Sequence, residues 1–305
     1  MPNSSPALSE LPVSWGKNPV RPMRQERYWG LNQLKNMRSH LKPRGVEMEN
    51  LFRVDDQVAV VCGGAGAIGE TLSHGLAEYG AKVVIADLNF ARAQQVAEEI
   101  LSYCRDSDAT AMQFDIRDEK SVIDLKDRVV AQFGTVDILV NAHGVNIKQP
   151  ANSFSVQDWD LLFDVNVRGT MLTCREFGKV MIEKRKGKII NLSSVRGIRA
   201  TTWVGNEGYA ATKAAIDMMT RTLASEWAQY KINVNAIAPA TIATRFSEKT
   251  IQNPERLKKF LSNCPLGRVG QPSDIVGACI FLASKASDFM TGQIIYLDGG
   301  LTAIA

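Results

Sequence analysis

The chain has 305 residues, of which 45% are hydrophobic and 22% are charged, and its formal net charge is +4. These values are typical of a globular enzyme, and the length allows one large α/β domain or two small ones. The positive excess lies in residues 1–50, whereas residues 51–305 hold 28 basic and 28 acidic side chains, so the body gives no support for a nucleic-acid-binding function.

Cysteine use and hydropathy indicate the compartment. The five cysteines are widely spaced, without a C-x-x-C pair, at Cys62, Cys104, Cys174, Cys264 and Cys279. An odd, scattered set favours a reducing cytoplasm over a secreted disulfide scaffold, and we expect no metal site. No apolar run approaches the roughly 18 residues that a membrane-spanning helix needs, so no membrane association is expected.

Residues 1–50 are predicted to be an extension outside the catalytic domain. Five prolines interrupt the first 22 residues, which favours coil, and a short helix is predicted around 25–39. The segment is interpreted either as an arm that packs on the body or on a neighbouring subunit, or as a disordered tail. Its glutamates and prolines argue against a cleaved transit peptide.

A glycine-rich turn follows the first apolar run. Residues 58–61 (VAVV) predict a strand that is covered on both faces, CGGAGAIG follows at 62–69, and a helix is predicted over 66–79. The spacing Gly64-x-Gly66-x-x-Gly69, with Gly63 beside it, matches the dinucleotide fingerprint. Glycines let the backbone approach a pyrophosphate at the helix amino end. The alternative is a tight turn that binds no ligand.

Asp87 ends the second predicted strand, which begins at Lys82, and lies 18 residues beyond Gly69. A carboxylate there can accept hydrogen bonds from both adenosine ribose hydroxyls, and it would repel a 2′-phosphate. No basic residue follows until Arg92. We therefore expect NAD rather than NADP, with Asp87 as a simple cap of the next helix as the alternative.

Strands and helices alternate through the rest of the chain. Helices are predicted at 90–103, 118–133, 158–184, 209–229 and 273–284, and strands at 111–114, 136–141, 188–192, 232–238 and 293–297. This order predicts a single doubly wound α/β domain with a seven-stranded parallel sheet. Asn166 falls inside the long helix 158–184, where asparagine is unfavourable. It marks either a local distortion with a function or a plain surface position.

Tyr209 and Lys213 are four residues apart on a predicted helix, so the phenol and the ammonium lie on one face. A lysine charge at that distance favours the phenolate and is expected to lower the tyrosine pKa, which suits a proton acceptor. Ser194 follows a predicted buried strand, so its hydroxyl should emerge at the carboxyl end of the sheet. A Tyr-x-x-x-Lys pair alone is weak evidence and fits an ordinary solvated helix face.

The motifs together resemble the short-chain dehydrogenase/reductase family over residues 51–305. The resemblance includes the glycine turn, NAHG (141–144), DVNVRG around Asn166, Ser194, Tyr209 with Lys213, NVNAIAPATIAT (233–244) and LDGG (297–300). It implies a coenzyme site formed by Gly63, Ala65, Gly66, Ala67, Ile68, Gly69, Asp87, Asp115, Ile116, Asn141, Ala142, Gly144, Tyr209, Lys213, Pro239, Ala240, Ile242 and Thr244.

The resemblance also implies hydride transfer between a nicotinamide and a secondary alcohol or ketone. Tyr209 would act as the general base, aided by Lys213 and the oxidised nicotinamide, and Lys213 would also hold the nicotinamide ribose. Ser194 would donate a hydrogen bond to the substrate oxygen, and Asn166 would order a water that connects Lys213 to solvent. A homotetramer built through helices 158–184 and 209–229 and the last strand is the assembly expected for this family.

Several residues depart from the family pattern. Cys62 replaces the usual threonine, Ala67 the middle glycine, and Ala142-His143 the usual Asn-Ala, which removes the second asparagine side chain. Ser194 and Tyr209 are 15 residues apart, two more than in many members. The added length falls beside the substrate, so we expect it to affect specificity more than chemistry.

Candidate substrate contacts lie near Ser194 and in the segment that follows the predicted strand 232–238. His143, Arg196, Arg199 and Trp203 are candidate contacts, and residues 245–269 predict a polar, basic lobe over the substrate. This composition favours a sugar, polyol or sugar acid, and the resemblance is to gluconate- and deoxygluconate-type dehydrogenases. The alternatives are a 3-oxoacyl thioester reductase and, in another class, a non-catalytic dinucleotide-sensing binding protein.

Overall fold

The first strand, β1 (Val58–Cys62), is buried along its whole length, and its side chains alternate between two cores. Ala59 and Val61 join one hydrophobic cluster, whereas Val58, Val60 and Cys62 join another. A strand covered on both faces belongs to a sheet with a helical layer on each side. The computed structural model describes residues 51–104, 108–200 and 205–304.

Seven parallel strands form one sheet in the order β3-β2-β1-β4-β5-β6-β7, which confirms the predicted fold. The remaining strands are β2 (Lys82–Asp87), β3 (Ala109–Gln113), β4 (Ile138–Asn141), β5 (Gly187–Leu192), β6 (Ile232–Pro239) and β7 (Ile294–Leu297). β1 pairs with both β2 and β4, so the strand order reverses there. The carboxyl ends of β1 and β4 therefore open into a crevice where ligands bind in such sheets.

The helices connect successive strands. They are α1 (Ala67–Glu78), α2 (Phe90–Tyr103), α3 (Glu119–Phe133), α4 (Val156–Phe163), α5 (Gly169–Lys184), α6 (Glu207–Trp227), α7 (Glu248–Ile251), α8 (Pro254–Leu261) and α9 (Ser273–Ala283). The single helix predicted over 158–184 is divided into α4 and α5 by a π-helical segment at 164–168. The helix α2 matches its predicted bounds.

Side-chain caps explain why two of these helices begin where they do. The Asn89 side chain accepts a hydrogen bond from Arg92 N at the start of α2, and the Asp118 side chain accepts one from Lys120 N at the start of α3. Such caps satisfy backbone N–H groups that have no partner within the helix. Asn89, rather than Asp87, caps α2, so Asp87 is left for another role.

The lobe predicted at 245–269 contains α7 and α8. Phe260 and Cys264 anchor it in a small hydrophobic cluster with Val195 and Leu301, which fixes the lobe against the carboxyl end of the sheet. Within the described ranges, no helix combines the length and the apolar character needed to cross a bilayer. The helix predicted at 25–39 lies outside the residues that the structure describes.

The glycine turn is packed so closely that a single added methyl group at Gly69 is expected to destabilise the fold. A Cβ on Gly69 would lie 2.1 Å from Gly63 O, a backbone atom that cannot move without opening the turn. Gly69→Ala is therefore expected to lower the free energy of unfolding by about 1–3 kcal/mol. Chemical denaturation monitored by circular dichroism measures the change.

Gly277→Ala is the matched control, because Gly277 lies inside α9 and, apart from its chain neighbours and the backbone of its own helix, no atom of the described residues lies within 4 Å of the place that its Cβ would occupy. Alanine there should raise the free energy of unfolding by about 0.4–1 kcal/mol, since it restricts the unfolded chain. Equal stabilities of the Gly69→Ala variant and the wild type would show that the turn relaxes more easily than its packing indicates.

Candidate active site

The glycine turn joins β1 to α1 at the crevice. Gly63 adopts a φ of +82°, and a Cβ there would lie 2.6 Å from His143 N, so no other residue fits the turn. Its N–H donates to Ala86 O at 2.8 Å, which ties the turn to the end of β2. The backbone of the turn is thus fixed close to the carboxyl ends of β1, β2 and β4.

The amino end of α1 fits the pyrophosphate of a dinucleotide. Gly66 occupies the N-cap position without a side-chain cap, and residues 66–69 line the adjoining cavity. The nearest atom to a Cβ built on Gly66 would be Gly63 O, at 3.4 Å. The side of Gly66 that faces the cavity is therefore open, and a ligand can approach its backbone. Uncapped N–H groups and the positive helix dipole favour a phosphate anion at this place. Ala67, which replaces a family glycine, lies on the cavity wall without closing it.

One cavity of about 1230 Å³ runs from the glycine turn across the carboxyl end of the sheet. Pockets for small ligands usually measure about 300–1,000 Å³, so this cavity has room for a dinucleotide and a small substrate together. Among the predicted coenzyme residues, its wall includes Ala65, Gly66, Ala67, Ile68, Gly69, Ala142, Gly144, Tyr209, Lys213, Pro239, Ala240, Ile242 and Thr244.

Three predicted catalytic side chains meet at the centre of this cavity. Tyr209 and Lys213 come from α6, and Ser194 follows β5. The Ser194 hydroxyl hydrogen-bonds the Tyr209 phenol, and Lys213 Nζ lies 5.6 Å from the Tyr209 ring centroid. Lys213 Nζ also donates to Leu192 O at 2.6 Å, which fixes the ammonium at the end of β5.

Burial governs the protonation of this pair. It raises the pKa of Tyr209 to about 12, although the hydrogen bond with Ser194 and the charge of Arg196 act in the opposite direction. It lowers the pKa of Lys213 to about 8, with the Asp217 carboxylate opposing that change. In the free protein the pKa of Tyr209 is therefore raised and not lowered, contrary to the expectation from its lysine neighbour, because desolvation of the phenolate outweighs the nearby charges.

Asn166 lies in the π-helical segment and is fully buried, which confirms the interpretation as a local distortion. Its amide holds the loop after β4 from both sides: Oδ1 accepts from Val145 N at 2.8 Å, and Nδ2 donates to Val145 O at 2.9 Å. Nδ2 also donates to Thr212 Oγ1 at 3.1 Å, next to Lys213 on α6. Asn166 is absent from the cavity wall and connects the wall to the helix that carries Lys213.

His143 lines the cavity as a neutral ring. Burial and the charge of Lys213 lower its pKa to about 3. Thr170 Oγ1 donates its single hydrogen to Asn166 O at 2.8 Å, so the contact of 3.2 Å between Thr170 Oγ1 and His143 Nε2 requires a proton on Nε2. His143 Nδ1 is then an acceptor, and it is buried without a partner among the described residues.

Basic side chains cluster at one part of the cavity. Lys148 and Arg256 lie on its wall together with the predicted Arg196. Burial, then the charges of Arg256 and Arg196, lower the pKa of Lys148, which shows that the cations crowd one another. Lys148 and Arg196 form no ion pair within residues 51–104, 108–200 and 205–304. Lys148 and Arg196 thus bring positive charge to the cavity wall without a carboxylate partner among the described residues.

Five predicted coenzyme residues contact the protein itself rather than the cavity. Gly63 forms the turn, and Ile116 lies against Gly169. The Asp115 carboxylate binds the Arg117 guanidinium at 2.7 Å, and Asn141 Nδ2 donates to Asn191 Oδ1 at 2.9 Å. The fifth, Asp87, accepts from Ala65 N at 3.0 Å and from Asn89 N at 2.9 Å, so it supports the glycine turn from behind.

The other predicted substrate residues have different positions. Arg199 borders a smaller neighbouring cavity of about 540 Å³, which shares Arg196 with the main one. Trp203 lies outside the residues that the structure describes. Sequence reasoning missed Lys148 and Arg256. The basic composition of 245–269 was the signal for Arg256, whereas Lys148 follows β4 in a loop without a periodic pattern.

Comparisons with known proteins agree with this geometry. A family model described as Enoyl-(Acyl carrier protein) reductase matches residues 63–302. The chain is similar to gluconate 5-dehydrogenase of Gluconobacter oxydans (strain 621H), with 34% identity over 258 residues that cover 83% of this chain and 97% of the relative. It is also similar to NAD-dependent glycerol dehydrogenase of Listeria innocua serovar 6a, with 34% identity over 253 residues, 82% of this chain and 96% of the relative.

Among solved structures, the fold matches a gluconate 5-dehydrogenase from Burkholderia cenocepacia J2315 in complex with NADP and tartrate. The TM-score is 0.80 with 36% sequence identity, and the match covers 84% of this chain and 99% of that one. The likeness therefore extends over nearly the whole of the relative.

Proposed function

The chain belongs to the short-chain dehydrogenase/reductase family, whose members are nicotinamide-dependent oxidoreductases, and we propose that it oxidises a secondary alcohol of a sugar acid or reduces the matching ketone. The observation that carries the proposal is the convergence of Tyr209, Ser194 and Lys213 on one cavity beside an open glycine turn. A protein that only senses a dinucleotide has no use for this set of side chains.

In this proposal, each side chain has a defined task. Tyr209 accepts the hydroxyl proton of the alcohol while the carbinol carbon gives up its hydride, and it returns the proton in the reverse direction. Ser194 donates a hydrogen bond to the substrate oxygen, which stabilises the developing negative charge. Lys213 holds the nicotinamide ribose, and Asn166 holds the loop at Val145 and a water that connects Lys213 to solvent. A bound nicotinamide dinucleotide would supply the hydride acceptor and, when oxidised, a positive charge near the phenol.

The coenzyme proposed is NAD. Asp87 binds Ala65 N behind the glycine turn and does not line the cavity, but its negative charge at the end of β2 disfavours the 2′-phosphate of NADP. The Listeria relative is named as NAD-dependent, whereas the Burkholderia relative was solved with NADP. The choice therefore depends on the side chains that this chain places around the adenosine end of the cavity.

The substrate class proposed is an anionic sugar derivative. Lys148, Arg196 and Arg256 bring three positive charges to the substrate end of the cavity, and a carboxylate would relieve their mutual repulsion. The tartrate in the Burkholderia structure is a hydroxylated carboxylate of this kind. His143 Nδ1, a buried acceptor, suits a hydroxyl of the same substrate.

The family description leaves a thioester reductase as the runner-up, because it names an acyl-carrier-protein substrate. The test is a steady-state assay at the absorbance band of the reduced nicotinamide. Sugar acids, neutral polyols and 3-oxoacyl thioesters are compared with NAD and NADP. A sugar acid with NAD is expected to give the highest kcat/KM. A higher value for a thioester would overturn the assignment of substrate class.

The catalytic domain is proposed to comprise residues 51–305, with residues 1–50 as an extension. The protein is proposed to lie in a reducing compartment such as the cytoplasm.

We also propose a homotetramer, because Met171 on α5 and Met218 on α6 are 39% and 58% exposed on the helices expected at the interface. Met181 is instead fully buried in the core. Sedimentation equilibrium is expected to give four times the mass of 33.5 kDa, and a monomeric mass would contradict this assembly.

A further inference from the structure

The adenosine end of the cavity contains an arginine that is held between two carboxylates. Arg92, in the first turn of α2, lines the cavity beside Asn89. Its Nη2 lies 2.7 Å from Glu70 Oε1, and its Nη1 lies 2.9 Å from Glu99 Oε1. Nη1 also donates to Gln95 Oε1 at 3.1 Å. The guanidinium is therefore engaged on both arms by side chains of α1 and α2.

Charge at this end of the cavity is negative in spite of the arginine. Glu70 follows the glycine turn in the first turn of α1, and Asp87 contacts the same turn through Ala65 N. Glu70 and Arg92 line the cavity, and Asp87 and Glu99 lie behind its wall. The three carboxylates outnumber the guanidinium of Arg92, which leaves a formal excess of two negative charges in this group. A monoester phosphate carries about −1.5 to −2 charge at pH 7, so its approach is opposed.

We infer that Glu70 sets coenzyme choice by holding Arg92 away from the position of a 2′-phosphate. A guanidinium binds phosphate through paired hydrogen bonds, so a released Arg92 would be a phosphate ligand on the cavity wall. With Glu70 in place, both terminal nitrogens of Arg92 are bound to carboxylates, and the charge of the guanidinium is neutralised. This inference rests on the proposed use of NAD and adds the residue that enforces it.

A metal site is a weaker explanation of the same residues. Ligand atoms of Glu70, His74 and Glu99 lie within 4.8 Å of one another. Both carboxylates already bind the Arg92 guanidinium, which would also repel a cation. His74 Nδ1 contacts Tyr103 Oη at 2.5 Å, and its Nε2 lies 3.6 Å from Glu99 Oε2, so the histidine extends the ion-pair network.

The experiment compares coenzyme binding to the purified protein without substrate. Dissociation constants for NADH and NADPH are measured by calorimetry for the wild type and for Glu70→Gln, which keeps the size of the side chain and removes its charge. NADPH is expected to bind the variant about tenfold or more tightly than it binds the wild type, because one repulsive charge is lost and Arg92 is released. The NADH dissociation constant should change little.

Three further variants test the mechanism. Glu98→Gln removes the same charge from an exposed position of α2 and should leave both constants unchanged. Arg92→Met in the Glu70→Gln background should cancel most of the gain in NADPH affinity. If Glu70→Gln folds poorly, Glu99→Gln releases the other arm of the guanidinium, and a smaller shift in the same direction is expected.

The outcomes separate the inference from the proposed function. Failure of the wild type to bind either coenzyme would overturn the proposed function. Tighter binding of NADPH than of NADH by the wild type would overturn the choice of NAD and this inference with it. If the wild type prefers NADH but Glu70→Gln and Glu98→Gln share its NADPH affinity, the role of Glu70 is refuted while the proposed function stands.

Discussion

Replacing Tyr209 with phenylalanine is expected to lower kcat by about 10²–10⁴-fold, because the general base is removed while the ring and its packing remain. The ring of Phe246 lies 5.8 Å from that of Tyr209, and this contact does not depend on the hydroxyl. Coenzyme affinity should therefore be nearly unchanged. Steady-state kinetics with a sugar acid, together with calorimetric coenzyme binding, measure the two effects separately.

Tyr230→Phe is the control, since the Tyr230 ring is absent from the cavity wall. Its centroid lies 5.8 Å from Arg185 Cζ, and this packing does not depend on the hydroxyl. It should retain wild-type turnover. A Tyr209→Phe enzyme that stays within tenfold of the wild type would remove Tyr209 from its role as general base.

The pH dependence follows from the same phenol. Because burial raises the pKa of Tyr209 to about 12 in the free protein, about one molecule in 10⁵ holds the phenolate at pH 7. Alcohol oxidation needs the phenolate, so its rate should rise with pH. Ketone reduction needs the protonated phenol, so its rate should fall as the pH passes the pKa of the phenol in the complex. Profiles of rate against pH in both directions measure that pKa. In the Tyr209→Phe variant, the rise of the oxidation rate and the fall of the reduction rate around this pKa should both disappear.

Replacing Lys148 with methionine is expected to raise KM for a sugar acid by about 10–100-fold, because a hydrogen bond to a charged group contributes about 1.5–3 kcal/mol. For a neutral polyol, kcat/KM should change little, since no carboxylate is bound. Loss of Lys148 also relieves the repulsion among the basic side chains of the cavity, so protein stability is not expected to fall. Kinetics on an acid and a polyol of equal chain length measure the selective loss.

The control removes the same charge from the lobe. Lys258 lies on α8, two residues from Arg256, and is exposed outside the cavity wall. Lys258→Met should leave KM for both substrates unchanged. Equal losses for the acid and the polyol in the Lys148→Met enzyme would show that Lys148 shapes the cavity without recognising a carboxylate.

Strand positions could be predicted because a parallel sheet leaves a direct trace in the sequence. The residues of β1 are all buried, so the strand appears as an unbroken apolar run, and the glycine turn follows at once. Helix bounds were accurate where a polar cap marks the start, as at Asn89. Helix α7 carried no comparable signal, because its four residues are too few for a periodic pattern.

The catalytic residues could be proposed from spacing, whereas their electrostatics could not. The phenol and ammonium of Tyr209 and Lys213 are neighbours by helical geometry, but the depth of their burial depends on β5, β6 and the lobe. Lys148 and Arg256 are more than 100 residues apart, and only the fold brings them to one wall. Local patterns contain no information about such convergence.

The π-helical segment has a consequence for how the chain tolerates insertions and deletions. Gly169 N donates to Asp164 O, five residues back, so this turn contains one residue more than an α-helical turn. Deleting that extra residue would restore regular geometry but rotate α5 by about 100° relative to α4. One extra residue therefore sets the rotation of α5 relative to α4. A relative that lacks this residue in an alignment should carry a compensating insertion elsewhere in the same helix.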